Sequence, residues 1–185
     1  MRAFLALILL LVGLASPATA DDGPIRFALT DHTGRAVTET DFAGRFLLLS
    51  FGYTHCPDVC PTGLQTMASA LDQAGPEGER VQIAFVSVDP RRDTAEHLAG
   101  YVPLFHPRLV GLTGSEEAVA ELARRMRVKY AKVQVRDSDP DAYTVDHTAS
   151  FFIIGPDGRQ LDRLPHRILP EHLAERLVRR VRGGE

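Results

Sequence analysis

Apolar positions along this chain follow two rhythms. Four stretches are continuously apolar or alternating, rich in β-branched and aromatic residues, and of strand length: FLLLSFG (46–52), VQIAFVSVD (81–89), RLVGLTG (108–114) and SFFIIG (150–155). Between them the spacing becomes helical. The segment 57–75 opens with proline and stops at glycine. The segment 93–102 opens with Asp93 and Glu96 at capping-box spacing. The segment 115–130 has a serine cap, two glutamates in its first turn and basic residues toward its end, matching the helix dipole. Three strands alternating with helices predict βαβ crossovers, and hence a parallel sheet covered on both faces.

After Phe152 the rhythm changes. FFIIGPDGRQLDRL reads as two strands joined by Gly-Pro-Asp-Gly, a hairpin signal, so the sheet is expected to be mixed. A last helix is predicted from about Pro170 to Arg182, with Leu173, Leu177, Val178 and Val181 on one face. An early hairpin turning at Thr33-Gly34 precedes the first core strand. This order predicts an α/β, thioredoxin-like fold with a mixed central sheet, helices on both faces and an N-terminal β-hairpin extension. RDSDPDAY (136–143) is the most loop-like stretch.

The first residues read differently. Met1-Arg2, an apolar run from Ala3 to Leu14 and SPATA before Asp21-Asp22 have the form of a secretory signal cut after Ala20. The run falls short of the roughly 20 apolar residues that span a bilayer, which disfavours the competing reading, an uncleaved anchor. No cysteine lies near the cut, which excludes a lipoprotein anchor. A single arginine is too few for an organelle transit peptide, so bacterial export to the periplasm fits better. The expected organisation is a signal peptide over 1–20 and one thioredoxin-like domain over 21–185. The net charge of −3, with no basic stripe, gives no reason to expect nucleic acid as a partner.

Chemistry concentrates at HCPDVCPT (55–62), which holds both cysteines, Cys56 and Cys60. In an exported protein the plain expectation is one stabilising disulfide bond. The context argues for more. Cys56 lies at the carboxyl end of a strand, where open α/β sheets bind ligands, and is expected at the start of the next helix, with Cys60 near one turn later. If both are helical, their alpha carbons stand about 6 Å apart along the axis. That is near the upper limit for a disulfide, whereas two sulfurs bound to one metal sit up to about 4.6 Å apart. A helix amino terminus is expected to lower the thiol pKa, that of Cys56 more than that of Cys60. Thioredoxin-type oxidoreductases have two intervening residues; here there are three, and there is no tryptophan. Thiol peroxidases carry Pro and Thr where this chain has Leu49 and Tyr53. Two cysteines supply half of a structural zinc site.

Seven histidines, at 32, 55, 97, 106, 147, 166 and 172, are candidates for a third ligand. Context favours His147, just before a predicted central strand at the sheet end where a thioredoxin-like fold brings its last loop beside the first helix. Asp146 is placed to orient that ring or to act as a weak fourth ligand. His55 adjoins Cys56, but its side chain is expected to turn away from Cys60. Two soft thiolates and one imidazole suit copper, as Cu(I) or Cu(II). Zinc would keep an open fourth position, which leaves a zinc hydrolase as an alternative.

GYTHCPDVCPT (52–62), SVDPRRDT (87–94), GLTG (111–114), VDHT (145–148) and IIGPDG (153–158) resemble, in order and spacing, the Sco/SenC family of copper-binding assembly factors for cytochrome c oxidase. The resemblance runs from about Pro24 to Arg182. It implies a thioredoxin-like fold with copper ligands at Cys56, Cys60 and His147. It also implies a role in delivering copper to, or reducing the cysteines of, the dinuclear copper (CuA) site of oxidase subunit II. The expected protein is a periplasmic, non-spanning copper metallochaperone rather than a turnover enzyme, kept reduced by a thioredoxin-like periplasmic partner. A thiol-disulfide oxidoreductase with Cys56 and Cys60 as its redox pair is the alternative. A copper-storage or copper-resistance protein would share the site but not the acceptor.

Overall fold

The computed structural model describes residues 23–135 and 142–183. The expected signal segment, 1–20, and most of the loop-like stretch 136–143 lie outside the described residues. The described residues form nine strands and four α-helices: β1 (Ala28–Asp31), β2 (Ala36–Thr38), β3 (Phe46–Gly52), α1 (Val59–Gln73), β4 (Val81–Ser87), α2 (Ala95–Tyr101), β5 (Leu109–Thr113), α3 (Glu116–Arg125), β6 (Tyr130–Gln134), β7 (Tyr143–His147), β8 (Ser150–Ile154), β9 (Gln160–Pro165) and α4 (Pro170–Val181).

Seven strands make one mixed sheet in the order β2-β1-β5-β4-β3-β8-β9. The central pairs β3–β4 and β4–β5 are parallel, while β8 runs antiparallel to β3. All seven residues of β3 are buried, as the uninterrupted apolar run requires of a strand covered on both faces. Its side chains alternate between two cores. Leu47, Leu49 and Phe51 pack with Val119, Leu122 and Met126 of the α3 region. Phe46 and Leu48 pack with Leu64 and Met67 of α1, Leu98 of α2 and Leu173 of α4. The mixed sheet, the helices on both faces and the early hairpin agree with the sequence pattern. The hairpin turns where expected, with Gly34 at φ 87° supplying the left-handed residue.

Three expectations need correction. The helix expected over 115–130 ends at Arg125: Arg127 takes φ 53°, and Val128 N donates to Ala123 O while Arg127 N donates to Arg124 O. That is a Schellman ending, which frees Tyr130 to start a strand. The strand β6 pairs antiparallel with β7 as a separate two-stranded ribbon. The capping box assigned to Asp93 and Glu96 does not form. Thr94 is the N-cap of α2, accepting from His97 N at 3.2 Å, and the Asp93 carboxylate is fully buried. Cys56 lies outside α1, which starts at Val59. A residue preceding proline is pushed away from helical backbone angles, and Cys56 precedes Pro57 and closes a turn onto Tyr53 O.

Candidate metal centre

Three elements meet beyond the carboxyl end of β3. The turn Tyr53–Cys56 carries Cys56. The first turn of α1 carries Cys60 as its second residue. The ribbon strand β7 ends at His147, two residues before β8. The ligand atoms of Cys56, Cys60 and His147 lie within 4.8 Å of one another. Cys60 Sγ stands 3.3 Å from His147 Nε2. Both cysteines are free thiols and buried. Because Cys56 is not helical, the four-residue helical spacing is not what brings the sulfurs together; the turn before Pro57 does.

His147 is held from three sides. Its register opposite Tyr130 fixes the strand, and Thr148 N donates to Lys129 O at 2.8 Å. Its Nδ1 is 3.2 Å from Thr148 O, so Nδ1–H donates there and Nε2 presents its lone pair toward Cys60. The Tyr53 ring meets the imidazole edge to face, with centroids 6.2 Å apart. Burial holds the His147 pKa below its usual value, against the opposing pull of the Thr148 carbonyl, which keeps the ring in its ligating form. Burial likewise pushes the Cys60 thiol well up, outweighing the backbone hydrogen bond from Tyr53. This reverses the expected lowering by the helix terminus at Cys60. A metal that displaces the thiol proton relieves that penalty.

The ribbon is clamped onto the sheet by a buried polar group. Tyr143 Oη donates to Asp89 Oδ1 at 2.8 Å, Arg92 pairs with the same carboxylate, and the guanidinium of Arg92 lies 3.8 Å from the Tyr143 ring centroid while donating to Tyr143 O. These residues position His147 without touching it. Their only sequence signals are Asp89 and Arg92 within SVDPRRDT, which periodicity does not connect to residue 143.

Asp146 is exposed, on the opposite side of β7 from its neighbour Val145, and is not part of the cluster. His55 turns away from Cys60, as expected, and faces Thr54 and His97. The cavity beside Cys60 and His147, bounded also by Val59, Phe85 and His166, measures about 20 Å³. That is room for one ion or water.

Among the described residues no helix is long and apolar enough to cross a membrane. The family model for SCO1/SenC matches residues 16–182. The chain is 47% identical over 138 residues to the human mitochondrial SCO1 homolog, covering 74% of this chain and 45% of that protein. It spans about half the length of several curated relatives it matches, among them the bovine and human SCO2 homologs. It superposes on the copper-bound structure of Arabidopsis thaliana ScoI with TM-score 0.80 and 36% identity, covering 85% of this chain and 97% of that one. For the copper-bound structure of Bradyrhizobium japonicum ScoI the TM-score is 0.76 and the identity 39%, covering 85% and 98%. The thioredoxin-like core, the cysteine pair with its distant histidine and these matches together make the chain a member of the SCO1/SenC family.

Proposed function

We propose that this protein binds copper through Cys56 Sγ, Cys60 Sγ and His147 Nε2 and acts as a metallochaperone in assembly of the CuA centre of cytochrome c oxidase. The observation that carries the reading is the convergence of these three atoms within 4.8 Å, with Cys60 and His147 already 3.3 Å apart. Two thiolates satisfy soft Cu(I), and the imidazole completes a set that also serves Cu(II). Copper is bound in the Arabidopsis and Bradyrhizobium relatives, whose folds superpose on this one. Transfer to oxidase subunit II would proceed by exchange of Cys56 and Cys60 for incoming thiolates, with a thioredoxin-like reductant keeping the pair open. Export to the periplasm by residues 1–20 belongs to the same proposal. The named curated relatives are mitochondrial proteins.

The deciding experiment is copper content and the visible spectrum of purified, reduced protein. One copper per chain with thiolate-to-copper charge transfer is expected, abolished by Cys56→Ser or Cys60→Ser. His147→Ala should weaken Cu(II) more than Cu(I), because two thiolates still hold a near-linear Cu(I). Equal loss of both oxidation states would refute the ligand set. The free, adjacent thiols also support a second reading, a reductase for the partner's cysteine pair. That role needs both cysteines but not His147, so full complementation by His147→Ala at low copper, with failure of either cysteine variant, would select it.

A further inference from the structure

A second group of ligand atoms lies beside the cysteine site and is not used by it. His55 in the β3–α1 turn, Asp93 in the loop after β4 and His97 in α2 bring one nitrogen or oxygen each within 4.8 Å of one another. All three converge on the hydroxyl of Thr54. Its Oγ1 is 2.6 Å from Asp93 Oδ1, 3.0 Å from His55 Nδ1 and 2.9 Å from His97 Nε2. A hydroxyl has one hydrogen and two lone pairs. The hydrogen goes to the carboxylate, which can only accept, so both imidazoles direct an N–H at the same oxygen. The two rings are stacked, with centroids 5.6 Å apart and planes 16° from parallel.

The carboxylate is anchored independently of the rings. Asp93 has no exposed surface, and its Oδ2 accepts from Thr54 N at 2.9 Å and from Ser87 Oγ at 2.6 Å. These neutral donors fix Oδ1 facing the imidazoles. His55 and His97 are exposed, so solvent can reach the point on which the three atoms converge. Moving each ring's proton to its outward nitrogen turns the two inward N–H groups into lone pairs, and a hydrogen-bonded cluster becomes a preformed two-nitrogen, one-oxygen ligand set.

We propose that His55 Nδ1, His97 Nε2 and Asp93 Oδ1 form a second cation site, for a divalent first-row transition metal, with Thr54 Oγ1 turning aside or serving as a weak fourth ligand. Imidazole and carboxylate suit Cu(II), Zn(II) and Ni(II), and the Irving–Williams order makes Cu(II) the tightest of these. Two sites of different softness then start from successive residues: His55 serves the harder one and Cys56 the softer. The harder site keeps its ligands when the cysteines are oxidised. Its use in copper handling rests on the function proposed above; its existence does not.

The test uses the full chain carrying Cys56→Ser and Cys60→Ser, which removes the thiolate site, titrated with Cu(II) and separately with Zn(II) against a competing chelator. One equivalent of Cu(II) should remain, with imidazole-nitrogen hyperfine structure in the electron paramagnetic resonance spectrum and no thiolate charge transfer. Adding His97→Ala should weaken that binding by about tenfold or more, and Zn(II) should bind at the same residues more weakly than Cu(II). His97→Gln, which can still donate to Thr54 but is a poor Cu(II) ligand, should reproduce the loss while leaving thermal unfolding unchanged. His147→Ala should have no effect. Absence of stoichiometric Cu(II) in the cysteine-free protein, or affinity unaltered by both His97 substitutions, would overturn the proposal and leave the cluster as a hydrogen-bonded brace for the turn. Failure of the cysteine-site reading is scored separately, by the charge-transfer band of the unsubstituted protein.

Discussion

Replacing Gly52 with alanine tests whether the sheet positions the Cys60 sulfur. Gly52 is the last residue of β3, in register with Ser87 of β4, and its φ is not positive, so its backbone accommodates alanine without strain. The space does not. A Cβ at this position would stand 2.7 Å from Cys60 Sγ and 2.7 Å from Phe85 Cε2, where ordinary contact begins at 3.4 Å. One neighbour or both must retreat by about 0.7 Å, and Phe85 is itself packed in a core with almost no free surface. Overpacking of this kind costs about 1–3 kcal/mol. Metal–sulfur distances tolerate only about 0.2 Å, so a bound copper must either pull the sulfur back against that strain or lose it as a ligand. At 1.4 kcal/mol per factor of ten, affinity falls roughly 5- to 150-fold. The assays are urea unfolding of the reduced, metal-free protein and competition for Cu(I) with a selective chelator. Gly100→Ala is the control: a Cβ there meets nothing within 4 Å, and an exchange inside α2 should be neutral or stabilise by up to about 1 kcal/mol. Unchanged urea midpoint and unchanged copper affinity in Gly52→Ala would show that close packing on β3 does not set the sulfur position.

Tyr143→Phe removes a buried donor from Asp89 and loosens the ribbon that ends at His147; unfolding free energy should fall by about 1–3 kcal/mol, with copper binding weakened but not abolished. Asp31 opposes its own ionisation by burial, yet the hydrogen bonds from Thr33 and Arg35 win and hold its pKa below the usual value. Its stabilising contribution is therefore present at pH values above about 3.9 and lost as pH falls through the lower folded value. Asp31→Ala should accordingly lose about 1–3 kcal/mol at pH 7 and progressively less as pH falls below about 3.9, as read by denaturant unfolding across that range. Intact-mass measurement on a periplasmic extract should give a chain starting at Asp21; a membrane-bound species retaining Met1 would contradict the export reading.

The sequence by itself determined the parts of this protein that depend on local rhythm. Continuous apolar runs marked β3 and β4, because a strand covered on both faces has no polar side to show. The serine and the two glutamates marked the start of α3, and Thr33-Gly34 marked a turn, because caps and left-handed residues are properties of a few adjacent side chains. Cys56, Cys60 and His147 were expected together from context and the family resemblance, and the fold brings their ligand atoms within 4.8 Å of one another. Their geometry was not legible in the sequence. Cys56 was expected in a helix, and only the closed turn before Pro57 placed its sulfur near that of Cys60. The ribbon β6–β7 escaped notice because Tyr130–Gln134 is mostly exposed and continues a helical run, so its strand character comes from pairing with β7 rather than from its own pattern. Asp93 shows the limit most plainly. In sequence it matched a helix cap, while in the fold it is a buried carboxylate gathering Thr54, Ser87 and two histidines. Residues 39 positions apart share two hydrogen bonds there, and no local pattern encodes that, because the contact exists only once parallel strands have aligned the ends of β3 and β4.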